Sequence, residues 1–292
     1  MKYESIQELV DEAVKSNEKI STVVLRDQAA AMDKTELELL EKMEIDFDVM
    51  KQSVITGGNK DLKSMSGLTG GEGFLMREYA DSKNTLCGLF LAGAMSRALS
   101  VSGCNAAMGR IVAAPTAGSC GIIPGCLITM CEDRGVSEKD AIMSLFTAGA
   151  FGMVIASRAS IAGAEGGCQA ECGSAAAMAS AALVELMGGT PGQCADACAL
   201  VVASQLGLVC DPVGGLVEIP CIKRNATGVM LAFSCADMVL AGIRSKIPAD
   251  ECLDAMRAVG DALPDSLRET AKGGLAATPT AKKLSQNDHS VP

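Results

Sequence analysis

Three polar loops, the first two of them rich in glycine, interrupt the apolar centre of the chain, and each of them carries a cysteine. They span residues 163–173 (GAEGGCQAECG), 210–215 (CDPVGG) and 219–225 (IPCIKRN). Glycine lets the backbone come close to a ligand, and a cysteine in such a loop can direct its sulfur atom into a shared pocket. Thiolates suit both zinc and iron–sulfur clusters. The composition of the loops therefore makes Cys168, Cys210 and Cys221 candidate metal ligands.

The spacing of the cysteines does not identify a metal by itself. Cys168 and Cys172, like Cys194 and Cys198, stand four residues apart, which is a spacing that helices produce by chance. Neither pair matches the CxxC pairs of zinc fingers or the bacterial ferredoxin pattern. Free cysteine is often a buried core residue, so packing is the alternative role for each of the 13 cysteines.

Two further polar segments could bind a small substrate. One is the loop 63–71 (KSMSGLTGG), and the other is a Gly-Ser-Cys-Gly turn at 118–121. Their candidate substrate-binding groups are the hydroxyls of Ser64, Ser66, Thr69 and Ser119. The alternative is that these hydroxyls only cap turns. Lys63 could act as a base if burial near the cysteines lowered its pKa, or it could hold a substrate carboxylate or face solvent.

Composition and charge exclude several classes of function. The net charge of −10 and the absence of tryptophan argue against a nucleic-acid-binding surface. The longest uncharged run, 111–131, contains prolines and glycines that would break a membrane-spanning helix, and the run 141–157 is too short for a span. The polar start of the chain shows no signal peptide. We therefore expect a cytoplasmic protein with reduced thiols.

The patterning predicts an all-α fold. Capping-box patterns at 5–8 and 35–38 each precede an amphipathic helix, and the later apolar stretches are rich in alanine and methionine, which favour helix. We expect a helical bundle whose inner helices are apolar and rich in small residues, with glycine-rich cluster-binding loops. A single domain is predicted, with peripheral helices in 1–58, a helical core in 59–275 and a polar tail in 276–292.

Four long motifs together resemble one known family, the alpha chain of the iron–sulfur-dependent L-serine dehydratase. They lie at 63–71 (KSMSGLTGG), 115–125 (PTAGSCGIIPG), 163–173 (GAEGGCQAECG) and 210–225 (CDPVGGLVEIPCIKRN), in the order that the family shows. The resemblance covers the chain from the first helix to about residue 280. It implies a 4Fe-4S cluster held by Cys168, Cys210 and Cys221, with Cys172 left as a packing residue.

The resemblance also implies a reaction, the deamination of L-serine to pyruvate and ammonia. Three thiolates leave one iron of such a cluster without a protein ligand, and this open iron would act as a Lewis acid and be sensitive to oxygen. The general base is not evident, because the only histidine, His289, lies in the polar tail. The family carries a serine-rich, histidine-containing region that this chain lacks. The resemblance therefore implies a partner beta chain that completes the site.

Other functions stay open at the level of the sequence. The chain could be a related lyase acting on cysteine or threonine, or a non-catalytic metal-binding scaffold closed by four protein ligands. A pyridoxal-phosphate enzyme is disfavoured, because no strand–glycine loop–helix unit is evident. Glu165 and Arg224 flank the cysteine loops and could orient a ligand or simply form ion pairs.

Overall fold

The fold is entirely helical over the residues that the computed structural model describes, 3–286. These residues form thirteen α-helices: α1 (Ile6–Ser16), α2 (Ile20–Ala31), α3 (Glu36–Gly57), α4 (Glu72–Asp81), α5 (Gly88–Ala106), α6 (Ile122–Arg134), α7 (Glu138–Arg158), α8 (Gly163–Gly166), α9 (Ser174–Leu186), α10 (Pro191–Gln205), α11 (Cys221–Leu240), α12 (Ala249–Ala262) and α13 (Pro279–Gln286). Within the same range no strand forms, and the one isolated bridge pairs Cys210 with Arg268. The predicted all-α fold class is confirmed.

Capping side chains fix the starts of several helices. Thr35 accepts a hydrogen bond from the Glu38 amide, and the Glu38 carboxylate accepts one from the Thr35 amide, which completes the predicted capping box of α3. At α1 only half of the predicted box forms, because the Glu8 carboxylate accepts from the Glu4 amide instead of the Ser5 amide. The helix α2 was not anticipated, since its start carries no side-chain cap.

Helix α9 is the centre of the bundle. Its first twelve residues are buried, half of them alanines, and it packs against α6, α7, α10 and α11. Small side chains let these neighbours approach closely, while larger ones such as Phe151 and Leu183 fill the remaining core. The prediction of inner helices that are apolar on all sides is therefore confirmed for α9. Its N-terminal end follows directly on the first cysteine loop.

The first three helices lie around this centre. Helix α1 packs against α10, α2 against α7 and α3 against α5. Their inner faces contribute Leu9, Val23 and Phe47 to the common hydrophobic core, while polar residues face solvent. The division of the chain at residues 58 and 275 stays a prediction, and residues 287–292, including His289, lie outside the described residues.

One helix is long and apolar enough to cross a membrane. Among the described residues, α7 is the only helix that meets this criterion, and 67% of its most apolar window is buried inside the protein. Its buried side chains pack against α2 and α9, as expected of a core helix in a folded bundle. The cytoplasmic location stays a prediction.

The end of α3 lies in direct contact with the backbone of α5. A Cβ atom added at Gly57 would lie 1.7 Å from the carbonyl oxygen of Ser100, so only glycine fits at this crossing. The same part of α5 meets α4, where a Cβ at Gly73 would lie 2.2 Å from the Ser100 hydroxyl. Helices α3 and α4 are thereby fixed against α5, which places the loop 59–71 between them.

We expect Gly57→Ala to lower the free energy of unfolding by about 1–3 kcal/mol, because the added methyl group forces α3 and α5 apart. Gly149→Ala in α7 is the matched control: a Cβ there meets nothing within 4 Å, and alanine favours helix by about 1 kcal/mol. Urea denaturation followed by circular dichroism measures the free energy of unfolding of both variants. Equal midpoints for Gly57→Ala and the wild type would contradict the close packing.

Candidate metal centre

The three cysteine loops meet beside the N-terminal end of α9. Cys168 lies between the short helix α8 and a π-helical turn, Gln169–Gly173, that leads into α9. Cys210 lies in an extended segment that pairs with the C-terminal region: its amide donates to Leu267 O at 2.9 Å, and its carbonyl accepts from the Glu269 amide at 2.8 Å. Cys221 is the first residue of α11.

Two of the predicted ligands are in direct contact. The Sγ atoms of Cys168 and Cys210 and a carboxylate oxygen of Glu171 all lie within 4.8 Å of one another. Cys221 does not belong to this tight group, but the charge of Cys168 helps to raise its pKa to about 12, behind the larger effect of burial. The three cysteines are 0%, 2% and 3% exposed, in chain order, so a metal here would be enclosed.

One sulfur of the group is stabilised as a thiolate. Hydrogen bonds from the thiols of Cys172 and Cys210, together with the charge of Arg224, lower the pKa of Cys168 to about 3 despite its burial. The same hydrogen bonds, with burial and the negative charge of Cys168, raise the pKa values of Cys172 and Cys210. A cation in this pocket would favour deprotonation of the remaining thiols. Cys172, expected only to pack, therefore lies within the site.

Arg224 connects the three loops through its guanidinium group. Nη1 donates to the Sγ atom of Cys168 at 3.0 Å and to Val209 O at 2.9 Å, and Nη2 donates to an oxygen of Asp211 at 2.8 Å. Both roles considered for Arg224 are thus present, an ion pair and contact with a candidate ligand. Glu165, the other flanking residue, is exposed and accepts a hydrogen bond from Ser160 at 2.7 Å.

Glu171 also belongs to the site, although the sequence analysis does not single it out. Burial raises the pKa of this carboxyl group to about 7. The hydroxyl of Thr116 donates to it at 2.5 Å, and the Ser119 hydroxyl lies 3.1 Å from that of Thr116. A Cβ at Gly118 would lie 2.6 Å from the carboxylate, so a larger residue there would displace the Glu171 side chain. The sequence signal for Glu171 was its position three residues after Cys168, a spacing that places both side chains on one face of a helical turn.

The hydroxyl loop lies against the segment that precedes Cys221. Ser66 donates to both carboxylate oxygens of Glu218 at 2.9 Å, and Thr69 donates to one of them at 2.8 Å. Ser64 lies 3.3 Å from Ser66 and accepts a hydrogen bond from the Thr69 amide. Ser66 also accepts a hydrogen bond from the Leu68 amide, so its hydroxyl caps the turn and contacts Glu218 at the same time.

Lys63 lies in the same loop but is exposed. The burial on which its suggested role as a base depends is therefore missing, and its catalytic role stays a prediction. Ser119 is fully buried beside Thr116, in the same turn that contacts Glu171. The substrate-binding roles of Ser64, Ser66, Thr69 and Ser119 likewise stay predictions.

Most of the sequence matches one protein family. The family model described as serine dehydratase alpha chain matches residues 15–276, a range that contains every residue of the site above. The chain belongs to the serine dehydratase alpha chain family. The resemblance stated from the four motifs is confirmed.

Individual members of the family match most of the chain. It is 46% identical over 282 residues to a probable L-serine dehydratase, alpha chain, of Bacillus subtilis, covering 97% of this chain and 94% of that protein. It is 44% identical over 280 residues to the L-serine dehydratase, alpha chain, of Peptoniphilus asaccharolyticus, covering 95% of each. The L-serine dehydratase TdcG of Escherichia coli is 44% identical over 181 residues, which are 61% of this chain but 40% of that longer protein.

Asn225 holds two of the family's motifs together. Its side-chain amide donates to Gly118 O at 2.8 Å and to Cys221 O at 3.0 Å, and its carbonyl oxygen accepts from the Gly121 amide at 2.8 Å. The turn that carries Ser119 is thereby fixed to the first turn of α11, next to Cys221. Asn225 is fully buried, so its partners have no access to water as a substitute.

We expect Asn225→Ala to lower the free energy of unfolding by about 2 kcal/mol or more, because it leaves the Gly118 carbonyl and the Gly121 amide unpaired. Asn59→Ala is the control, since Asn59 is exposed and accepts one local hydrogen bond, from the Asp61 amide at 2.9 Å. Chemical denaturation of both variants measures the difference. A loss no larger for Asn225→Ala than for Asn59→Ala would show that this link does not hold the site together.

Proposed function

We propose that this chain is the metal-bearing alpha chain of an L-serine dehydratase, which converts L-serine into pyruvate and ammonia. The observation that carries the proposal is the contact between the buried sulfur atoms of Cys168 and Cys210 beside the N-terminus of α11, where Cys221 begins the helix. Membership of the serine dehydratase alpha chain family and the names of its relatives support the choice of substrate.

Cys168, Cys210 and Cys221 would hold a 4Fe-4S cluster. The donor set fits such a group: three thiols from separate loops are enclosed, and hydrogen bonds from Cys172 and Cys210, with the charge of Arg224, stabilise Cys168 as a thiolate. When bound by three protein thiolates, a cluster of this kind supplies an iron that can act as a Lewis acid toward a hydroxyl group. The loops enclose the sulfurs and exclude water, while Arg224 keeps Cys168 oriented toward Cys210.

The residues around the cysteines can hold a polar substrate. The hydroxyls of Thr116 and Ser119 lie on one side with the Glu171 carboxyl group, and those of Ser64, Ser66 and Thr69 lie near the approach to Cys221. The oxygen atoms of Ser119 and Thr116 keep lone pairs that can accept a hydrogen bond from a substrate hydroxyl. Glu171 Oε1 accepts a hydrogen bond from the Thr116 hydroxyl and thereby fixes the orientation of that hydroxyl.

A partner beta chain would supply the base that this chain lacks. Within residues 3–286 no histidine is present, since the single histidine of the chain is His289. More than half of the longer Escherichia coli relative lies outside its match to this chain, which supports a second region that acts with the alpha chain. The exposed Lys63 is the alternative base within this chain.

We expect Cys168→Ala, Cys210→Ala and Cys221→Ala each to lose iron and inorganic sulfide, because each removes one of the three cluster thiolates. After anaerobic reconstitution with iron and sulfide, metal and sulfide analysis, visible absorbance and pyruvate release from L-serine measure the effect. Cys194→Ala is the matched control, a buried cysteine in α10 outside the site. A full complement of iron and sulfide in any of the three variants would remove that residue from the ligand set.

A single metal ion is the second candidate. The contact of two sulfurs and one carboxylate oxygen within 4.8 Å also fits one zinc or iron ion, as in a non-catalytic scaffold. The same analysis separates the two, because such a site would bind one metal without inorganic sulfide. Rates with L-threonine and L-cysteine in the same assay test the related-lyase alternative.

We expect the reconstituted chain alone to release pyruvate at least about 100-fold more slowly than the chain with its partner, since general acid–base catalysis contributes about that factor or more. The comparison uses the same cluster-loaded sample with and without the beta chain. Full activity of the chain alone would contradict the need for a partner and direct attention to Lys63.

A further inference from the structure

Glu218 is a buried carboxylate without a cationic partner. It is 5% exposed, and over residues 3–286 no lysine or arginine forms an ion pair with it. Its side-chain hydrogen bonds come from the hydroxyls of Ser66 and Thr69. A buried carboxylate is costly unless a positive group or several donors compensate it, and two hydroxyls compensate it only in part.

Two other buried acids, Asp211 and Glu185, have a charged or dipolar partner. Asp211 pairs with Arg224 at 2.8 Å. Glu185 accepts a hydrogen bond from the Ser21 amide at the start of α2, where the positive end of the helix dipole favours a carboxylate. Within residues 3–286 Glu218 forms no ion pair, and its carboxylate accepts side-chain hydrogen bonds from two hydroxyls alone, which points to a cation that is bound from outside the chain.

The position of Glu218 places it near the metal centre. It precedes Cys221 by three residues, and a chain of three residues spans at most about 11 Å. The Ile222 amide donates to its carbonyl oxygen at 3.0 Å, so the backbone of Glu218 lies against the first turn of α11. Its side chain therefore extends from the same segment as the third cysteine, and its carboxylate lies against the hydroxyls of Ser66 and Thr69.

We propose that Glu218 binds the α-ammonium group of the substrate. This inference rests on the proposed function, because L-serine carries a primary ammonium group, whose positive charge neither Arg224 nor a neutral hydroxyl can balance. A carboxylate offers about four acceptor positions, and the two hydroxyls leave some of them for N–H donors. Ser66 and Thr69 then act as positioning residues that orient Glu218 instead of contacting the substrate directly.

The test compares two ligands that differ in the ammonium group. L-alanine carries the ammonium and carboxylate groups, whereas 3-hydroxypropionate carries the hydroxyl and carboxylate groups without an ammonium. Dissociation constants are measured by calorimetry on the cluster-loaded complex with the partner chain. In Glu218→Gln the dissociation constant for L-alanine should rise at least about 30-fold, whereas that for 3-hydroxypropionate should change less than about threefold.

Two further variants serve as controls. Glu72→Gln removes a neighbouring carboxylate that pairs with Lys223 at 2.6 Å, and it should leave both dissociation constants unchanged. Glu218→Asp retains the charge and should retain a preference for L-alanine over 3-hydroxypropionate, which also covers the case in which Glu218→Gln does not fold. Iron and sulfide contents, measured on every sample, should stay at the wild-type level.

An equal loss of affinity for both ligands in Glu218→Gln would overturn the inference, since it would show that Glu218 only supports the loop. Unchanged affinity for L-alanine would overturn it as well. A wild-type complex that binds these ligands but releases no pyruvate from L-serine would contradict the proposed function instead, while the ratio of the two dissociation constants would still decide the role of Glu218.

Discussion

The guanidinium group of Arg224 is the interaction on which the candidate metal centre depends. It reaches from α11 to the sulfur of Cys168, to the carbonyl oxygen of Val209 beside Cys210, and to the carboxylate of Asp211. A single planar cation thus compensates one thiolate and one carboxylate in a buried place, which a lysine with its point charge would do less well. The three loops are close in space because they share this partner.

The helical core serves this arrangement by being stiff and closely packed. Alanines of α9 let four neighbouring helices approach it, and the turn before α9 carries Cys168 and Glu171. The side chain of Gln169 fastens that turn, because its amide donates to Met256 O and its oxygen accepts from the Gly207 amide, both at 2.9 Å. Buried and fully paired amides of this kind hold irregular backbone in one conformation.

Local signals in the sequence were sufficient to predict the helical fold class, but not the contacts between loops. The capping boxes, the apolar inner helices and the three cysteine loops were evident because each is encoded within a short stretch of sequence. Helix α2 was missed because no capping side chain marks its start. The partners of Glu218 were out of reach, since Ser66 lies 152 residues away, and the burial that raises the pKa of Glu171 is a property of the tertiary structure alone.

The extended pairing of Cys210 with the C-terminal region has a consequence for how the protein is made. The backbone of Cys210 is bonded to Leu267 and Glu269, and Asp211 accepts a hydrogen bond from the Leu275 amide at 2.7 Å. These partners follow Cys210 by 57 to 65 residues in the sequence. The second cysteine loop therefore acquires its native shape only after residues 267–275 have been synthesised and have folded back against it, and the candidate metal centre is incomplete until then.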